Sequence, residues 1–135
     1  MEATAHYLDG VKFNIAVRGH SVICDQPAEN KGTDAGISPP EFLLASLASC
    51  AAYYALEYLR ARSLPTDGLS VRVHAEKLKQ PARLGDFRIE VATAAMEPRH
   101  EEGVLRAVKL CLIHNTLLHP PSIEVSVNAA EPVAA

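Results

Sequence analysis

The sequence predicts an α+β fold with a mostly antiparallel sheet and two main helices. Three observations support this: short stretches with strand character recur along the chain, two longer segments have helical spacing, and prolines and glycines separate them. The predicted order is strand, strand, helix, strand, strand, helix, strand. A chain of 135 residues is long enough to bury one core, so we expect a single domain over residues 1–135.

The first two strands lead into a long loop. Apolar residues alternate along residues 11–17, Gly19 marks a turn, and residues 20–25 form the second predicted strand. The segment from Gln26 to Pro40 then contains several prolines and glycines, which predicts a loop. Loops of this length within a compact domain often have a function.

The first helix has a clear beginning. Ser38 is a suitable N-cap, Pro39 and Pro40 suit the first helical positions, and Glu41 suits the positive end of the helix. The helix is predicted to end near residue 62, before the next proline. Residues 42–59 are nearly all apolar and about as long as a short membrane span, but they are rich in Ala and Ser. We therefore interpret them as the buried centre of the fold or of a dimer, with no membrane contact.

The second half repeats the pattern of two strands and a helix. Alternating residues at 69–75 and 87–91 predict an antiparallel hairpin. A second helix is predicted over residues 101–118, ended by His119 and the two prolines that follow it. A last strand is predicted from the alternation of Ile123, Val125 and Val127.

Charge and cysteine content exclude several functional classes. The net charge of −3 and the scattered basic residues give no surface for nucleic acid. The first ten residues lack the apolar core of a secretory signal, so we expect a cytoplasmic protein. Three cysteines cannot all pair within one chain, and a disulfide in a reducing compartment is typically transient and catalytic. No cofactor motif is present.

Two cysteines stand out because each lies on the inward face of a predicted helix. A lone buried cysteine is more often a small apolar filler than a reactive group, and we interpret Cys24 in that way. Cys50 and Cys111, however, lie on different helices and could meet between them. Small residues around Cys50 would permit the close approach that a disulfide requires.

Three segments resemble a known family. Residues 37–50, ISPPEFLLASLASC, are similar to the segment that opens the long helix of OsmC/Ohr proteins. Residues 109–117, KLCLIHNTL, resemble their second cysteine motif, with Leu112 where a proline is usual. Residues 24–27, CDQP, are similar to the approach to the long helix. The family comprises osmotically inducible and organic hydroperoxide resistance proteins, and the order of elements matches along nearly the whole chain.

The resemblance implies a thiol-dependent peroxidase that reduces organic hydroperoxides in oxidative stress defence. In that family the first cysteine attacks the peroxide and the second forms a disulfide with it, so Cys50 is the implied nucleophile and Cys111 the resolving residue. A dithiol reductant, such as a lipoylated protein, reopens the disulfide. Glu41 matches the glutamate that holds an activating arginine, and Arg18 is our candidate for that arginine. The resemblance also implies an intertwined homodimer.

Glu41 and Cys50 are nine residues apart on one predicted helix. They therefore point to opposite sides, about 13 Å apart along the axis. Glu41 must act through a long arginine or across a subunit boundary, or it simply stabilises the helix N-terminus.

Other functions remain open on the residues alone. Cys111, His114 and His119, with Cys24, are candidates for a metal site, although Cys-x-x-His is at most half of a zinc site. A Cys–His hydrolase would need a group that orients the histidine. The main alternative is a dimeric small-molecule-binding protein whose cysteines react slowly or not at all. His114 itself is predicted to tune the Cys111 thiol, to contact substrate, or to be structural.

Overall fold

The computed structural model of the protein describes residues 1–132 and 134. Its strands and helices, in chain order, are β1 Thr4–Asp9, β2 Lys12–Val17, β3 His20–Cys24, α1 Pro39–Ala61, β4 Ser70–Leu78, β5 Arg83–Ala92, α2 Pro98–Lys109 and α3 Leu112–Leu118. The strands form two antiparallel sheets, β1–β2–β3 and β4–β5. The α+β class and the two antiparallel strand pairs of the prediction are confirmed.

The N-terminal sheet contains one strand more than predicted. β1 pairs with β2 along its length, and the rings of Tyr7 and Phe13 meet edge to face at 5.7 Å. Every residue of β1 is exposed, so neither face of the strand is buried and the sequence shows no alternation there. Backbone pairing with β2, rather than burial of one face, therefore forms this strand.

The loop before α1 is organised by one buried carboxylate. Asp25 is 1% exposed. One oxygen accepts the Gln26 N–H at 2.8 Å; the other accepts the Thr33 N–H at 3.1 Å, the Thr33 hydroxyl at 2.8 Å and the Ala35 N–H at 3.0 Å. The Ala35 and Gln26 N–H groups, more than the Thr33 bonds, hold the pKa of Asp25 well below its usual range, against the effect of burial. The loop is thereby folded back on the end of β3.

Helix α1 begins as the sequence predicts. Pro39 is its first residue, and the Ser38 N–H donates to Glu41 Oε2 at 2.7 Å in a capping box. Hydrogen bonds from Ser38, followed by the charge of Lys77, lower the pKa of Glu41. The helix ends at Ala61, one residue before the predicted end.

The core lies where α1 packs on α2 and on the β4–β5 sheet. The stripe that α1 buries has a spacing of four residues and contains small side chains at its centre: Leu47, Ala51, Ala55 and Leu59. Val104 and Val108 of α2 form one buried cluster with Ala51, Ala55 and Leu59. Alanines at the contact let the helix axes approach closely, which brings together groups on either side of them.

One glycine is required by this packing. Gly103 of α2 lies against the ring of Tyr58, and a Cβ at this position would overlap the phenol oxygen. Tyr58 Oη lies 3.2 Å from His100 Nδ1, and the Arg62 guanidinium stacks 3.8 Å from the ring centroid. Helix propensity alone would favour alanine over glycine by about 1 kcal/mol. The contact with Tyr58 therefore decides the residue at position 103.

Two predicted elements are wrong in the second half of the chain. The single helix over residues 101–118 is two helices, because the backbone at Cys111 leaves the helical region between α2 and α3. The strand predicted at 123–127 does not form: residues 119–132 contain no strand, and Ile123, Val125 and Val127 are 81%, 87% and 87% exposed. This segment has no neighbouring strand within the described part of its own chain to pair with.

Much apolar surface is left uncovered by the chain itself. The β1–β3 sheet makes no extensive contact with the helices, and Val17 and Val22 on it are 38% and 47% exposed. By length and composition, α1 is the one described helix that could cross a membrane, a test that core helices of soluble proteins also pass. Only 22% of its most apolar stretch is buried within the chain.

Asp25→Asn should lower the melting temperature by more than roughly 5 °C. The amide carries no charge, and its NH2 group would face the backbone N–H donors that now bind the carboxylate, so hydrogen bonds are lost. The matched control is Asp34→Asn in the same loop, where the side chain is exposed and a change below about 2 °C is expected.

The pKa of Asp25 lies below the unfolded value of about 3.9, so its stabilisation is present above that pH and is lost as the pH falls below it. Melting curves followed by circular dichroism between about pH 2 and pH 5 should show a steeper acid loss for the wild type than for Asp25→Asn. Equal slopes would contradict this role.

Candidate active site

Cys50 lies on α1 beside the buried stripe and is partly accessible. It follows Leu47 by one turn and precedes the fully buried Ala51. The hydroxyl of the adjacent Ser49 already donates a hydrogen bond to the carbonyl oxygen of Ser46 at 3.0 Å. The α1 helix therefore holds Cys50 at the boundary between the core and the surface.

Cys111 occupies the break between α2 and α3. It is fully buried and serves as the N-cap of α3, with its backbone at φ −53° and ψ 130°. Its Sγ accepts the backbone N–H of His114 at 3.5 Å, where a serine or aspartate oxygen would act in a typical cap. The interruption of the predicted helix is thus what places this sulfur at the start of α3, facing α1.

The structure brings Cys50 and Cys111 together. Cys50 lies close enough to Cys111 to affect the pKa of the Cys111 thiol. Burial, and next the hydrogen bond to Cys50, raise the pKa of Cys111, while the N–H groups of His114 and Ile113 partly oppose this shift. Cys111 therefore stays protonated near neutral pH. All three cysteines are free thiols in the structure.

Cys24 is separate in character. It ends β3, is buried, and forms an isolated bridge with Ile37. Burial, followed by the negative charge of Asp25, raises the pKa of its thiol. A buried, protonated thiol beside a carboxylate is a poor nucleophile, which agrees with the prediction of a packing role.

Glu41 and Arg18 are not brought to the thiol pair within one chain. Glu41 is exposed at the first turn of α1 and is bound to the N–H of Ser38. Arg18 is exposed at the turn between β2 and β3, with φ 58°, on the sheet that makes little contact with the helices. Both remain candidates for a role across a subunit boundary.

His114 lies one turn after Cys111 and borders two neighbouring cavities. The larger, of about 640 Å³, lies between β5 and α2; the smaller, of about 410 Å³, is also lined by Leu47 and the end of α3. Phe87 and Ile89 line both. The Nδ1 atom of His114 is buried and has no hydrogen-bond partner among the described residues.

A metal centre gains no support from this geometry. Within residues 1–132 and 134, no three His, Cys, Asp or Glu side chains come close enough to hold an ion. His119 Nδ1 lies 3.0 Å from the carbonyl oxygen of Asn115, at the end of α3. Cys111 and His114 are joined through the backbone of α3 rather than as two ligands.

Sequence reasoning missed two features of the site. The first is Asp25, whose role depends on N–H groups eight and ten residues away; its position directly before a loop rich in glycine was the available signal. The second is the apolar wall that β5 supplies through Phe87 and Ile89. These residues were predicted as one face of a strand, but the sequence did not show that this face borders a cavity shared with Leu47 and His114.

Comparisons with known proteins place this geometry in a family. The chain matches the family model described as OsmC-like protein over residues 32–126. It is similar in structure to a protein from Psychrobacter arcticus 273-4 named for osmotic stress induction and detoxification response, with a TM-score of 0.77, 18% identity, and coverage of 84% of this chain and 85% of that one.

Two further structures are similar. An OsmC-like protein from Mycoplasma pneumoniae has a TM-score of 0.74 and 21% identity over 88% of this chain and 87% of that one. An organic hydroperoxide resistance protein OsmC from Legionella pneumophila has a TM-score of 0.60 and 14% identity over 87% and 89% of the two chains. Identities this low establish the shared fold alone. No curated protein matches the chain in sequence.

Among the three thiols, Cys50 should be alkylated first. It is partly accessible, whereas burial raises the pKa of both Cys24 and Cys111. With iodoacetamide at about pH 8, peptide mass spectrometry should show Cys50 labelled at least about tenfold faster than either. Faster labelling of Cys24 or Cys111 would contradict the prediction that these two buried cysteines are less reactive than Cys50.

Proposed function

The chain belongs to the OsmC-like protein family, and on that premise we propose that it is a thiol-dependent peroxidase that reduces organic hydroperoxides. The observation that carries the proposal is the proximity of Cys50 to Cys111, the first partly accessible and the second buried. A nucleophile must reach its substrate, whereas a resolving thiol needs only to reach the nucleophile. The arrangement of the two cysteines meets both requirements.

The proposed cycle has three balanced steps. The Cys50 thiolate attacks the outer oxygen of ROOH, the O–O bond breaks, and with one proton the products are Cys50 sulfenic acid and the alcohol ROH. The Cys111 thiol then condenses with the sulfenic acid, forming an S–S bond and releasing water. A dithiol reductant, such as a lipoylated protein, exchanges with this disulfide, restores both thiols and leaves as a cyclic disulfide.

Glu41 and Arg18 enter this proposal through a second subunit. A thiolate needs a nearby cation to be favoured in an apolar site. Neither residue reaches the thiols of its own chain through the described contacts. We assign Arg18 of one chain to activate the thiol of the other and Glu41 to hold the arginine, as the family resemblance implies.

A homodimer is therefore part of the proposal. It is supported by the apolar surface that one chain leaves open: most of α1, the fully exposed strand β1 with Val17 and Val22 of the same sheet, and the C-terminal segment with its exposed Ile and Val residues. Soluble monomers rarely tolerate so much apolar surface. A two-fold arrangement would cover it with a second copy.

The proposed setting is a stress response in the cytoplasm. Turnover requires a supply of dithiol reductant, which reducing compartments maintain. The Psychrobacter and Legionella proteins with this fold carry names that refer to detoxification and to hydroperoxide resistance, which supports an oxidative stress role without establishing it for this chain.

A second candidate is a dimeric small-molecule-binding protein with slow cysteines. The specific observation that favours it is that no Lys or Arg contributes to the shifted pKa of Cys111 among the described groups. The two cavities beside His114 would serve such a protein equally well. Turnover measurements separate the two functions.

Cys50→Ser should abolish the dithiol-dependent reduction of cumene hydroperoxide, with a loss of at least about a thousandfold, because the nucleophile is removed. Cys24→Ser is the matched control and should retain activity within about twofold. After peroxide treatment the wild type should contain a Cys50–Cys111 disulfide, and Cys111→Ser should instead accumulate sulfinic acid at Cys50. Reduction of hydrogen peroxide at the same rate as cumene hydroperoxide would refute the preference for organic substrates, and a disulfide to Cys24 would refute the pairing of Cys50 with Cys111.

Light scattering at micromolar concentration should give twice the 14.5 kDa mass of one chain. Obligate dimers bury more than about 2,000 Å² in largely apolar interfaces. Placing a charge on the open face of α1, as in Tyr53→Glu, should shift the mass toward a single chain and reduce turnover, since Tyr53 is 58% exposed. A single-chain mass for the fully active wild type would eliminate the dimer and, with it, activation across subunits.

A further inference from the structure

The tip of the β4–β5 hairpin concentrates positive charge on an otherwise acidic chain. Residues 77–85 contain Lys77, Lys79 and Arg83 and no Asp or Glu. Residues 70–92 as a whole contain five Lys or Arg and three Asp or Glu, a net charge of +2, so the rest of the chain carries −5 to give the total of −3. We call Lys77, Lys79 and Arg83 the basic tip.

The outer face of the same hairpin carries charges of both signs instead. Arg72 lies directly opposite Glu90 across the two strands, and His74 Nε2 lies 2.8 Å from Glu76 Oε1. Neighbouring groups of opposite sign stabilise a solvated sheet face, whereas like charges side by side oppose its formation. The basic tip lacks this balance: its three side chains are exposed, and none of the ion pairs among residues 1–132 and 134 includes them.

One of the three cations holds the tip in a defined shape. Arg83 Nη1 donates to the carbonyl oxygen of Lys79 at 3.3 Å and to that of Pro81 at 2.9 Å, across the turn. A guanidinium has five N–H donors, so the donors at Nε and Nη2 are left for a carboxylate. A side chain that is already held by the backbone loses less conformational entropy when it binds a partner.

The pairing of the two strands spreads the charge around the tip. Lys77 pairs with Leu84, and Leu78 pairs with Arg83. Because successive residues of a strand point to opposite faces, Lys77 and Arg83 project from opposite faces of the hairpin, and Lys79 lies in the turn between them. A flexible segment that passes over the end of the hairpin therefore comes within reach of all three cations.

The basic tip lies beside the N-terminal half of α1. The charge of Lys77 contributes to the lowered pKa of Glu41, in the first turn of that helix. Leu84, next to the tip, lines a cavity together with Leu47, one turn before Cys50. A partner bound at the tip is therefore held beside the helix that carries Cys50.

The charge of the remaining surface restricts which anion fits the tip. Nucleic acids bind through many phosphate contacts along a basic surface, and a chain with −5 outside the hairpin repels a long polyanion. Anionic membranes are bound by clusters of about four to eight Lys or Arg, more than the tip contains. A short run of carboxylates contacts only the tip and avoids the acidic surface. An acidic peptide segment is therefore the anion that the charge distribution favours.

We propose that the basic tip is a docking site for a short acidic segment of a partner protein, whose carboxylates pair with Lys77, Lys79 and Arg83. This binding uses neither thiol. It therefore holds or fails independently of the proposed peroxidase function.

The probe is a hexaglutamate peptide blocked at both ends, and hexaglutamine of the same length is its uncharged counterpart. Amide NMR spectra of the reduced protein at pH 7 and about 20 mM salt should show saturable shifts centred on residues 77–85 with hexaglutamate and none with hexaglutamine. Raising the salt to about 150 mM should weaken the binding by at least about threefold, because exposed charges are screened.

The double variant Lys77→Gln, Lys79→Gln should weaken hexaglutamate by about fivefold at the lower salt. These two side chains are chosen because, unlike Arg83, they donate to no backbone carbonyl of the turn. The matched control is Lys31→Gln, Lys109→Gln, which removes the same charge from two exposed lysines outside the hairpin and should stay within about twofold of the wild type. Circular dichroism verifies that both variants are folded.

Three results would overturn the proposal. The first is the absence of saturable binding of hexaglutamate, or shifts centred outside residues 77–85. The second is equal weakening in the two double variants, which would show an effect of net charge alone. The third is tighter binding of a twelve-nucleotide single-stranded DNA than of hexaglutamate at the same salt, which would assign the tip to nucleic acid.

Discussion

The close packing of α1 on α2 and α3 is the contact on which the other features of the molecule depend. Ala51 and Ala55 are small side chains on the buried stripe of α1, so a neighbouring helix can approach closely there. Gly103 leaves room for the ring of Tyr58 against α2. Larger side chains at these positions would separate the helices, and thiols held on separated helices would not meet. The core of this protein therefore contributes more than stability, because its small residues set the distance between two reactive groups.

Two effects of opposite sign act on the pKa of Cys111, the buried thiol of the pair. Burial disfavours a charged Cys111, while two backbone N–H groups at the start of α3 favour it, and burial is the larger effect. Without a cation, the local structure therefore keeps this sulfur protonated. The arrangement suits the resolving role that we propose for Cys111.

The sequence predicted best those elements whose signals are local. The cap at Ser38 and Glu41 and the alternation in β4 and β5 describe their own segments, and α1 begins and the hairpin pairs as expected. Features that depend on distant groups were missed or wrong: Asp25 collects N–H donors from across a loop, and Cys111 leaves the helix to face α1. The strand character of residues 123–127 is real as a pattern, but a strand also needs a neighbour, which the described part of the chain does not supply.

The isolation of the β1–β3 sheet has a consequence for motion. The sheet is tied to the rest of the chain mainly by the bridge between Cys24 and Ile37 and by the hydrogen bonds of Asp25. Proteins open in cooperative units whose free energies follow the apolar contacts that each unit makes. This sheet, with β1 fully exposed, forms the unit of lower protection, so amide exchange in β1–β3 reports on whatever covers the sheet rather than on the core around α1.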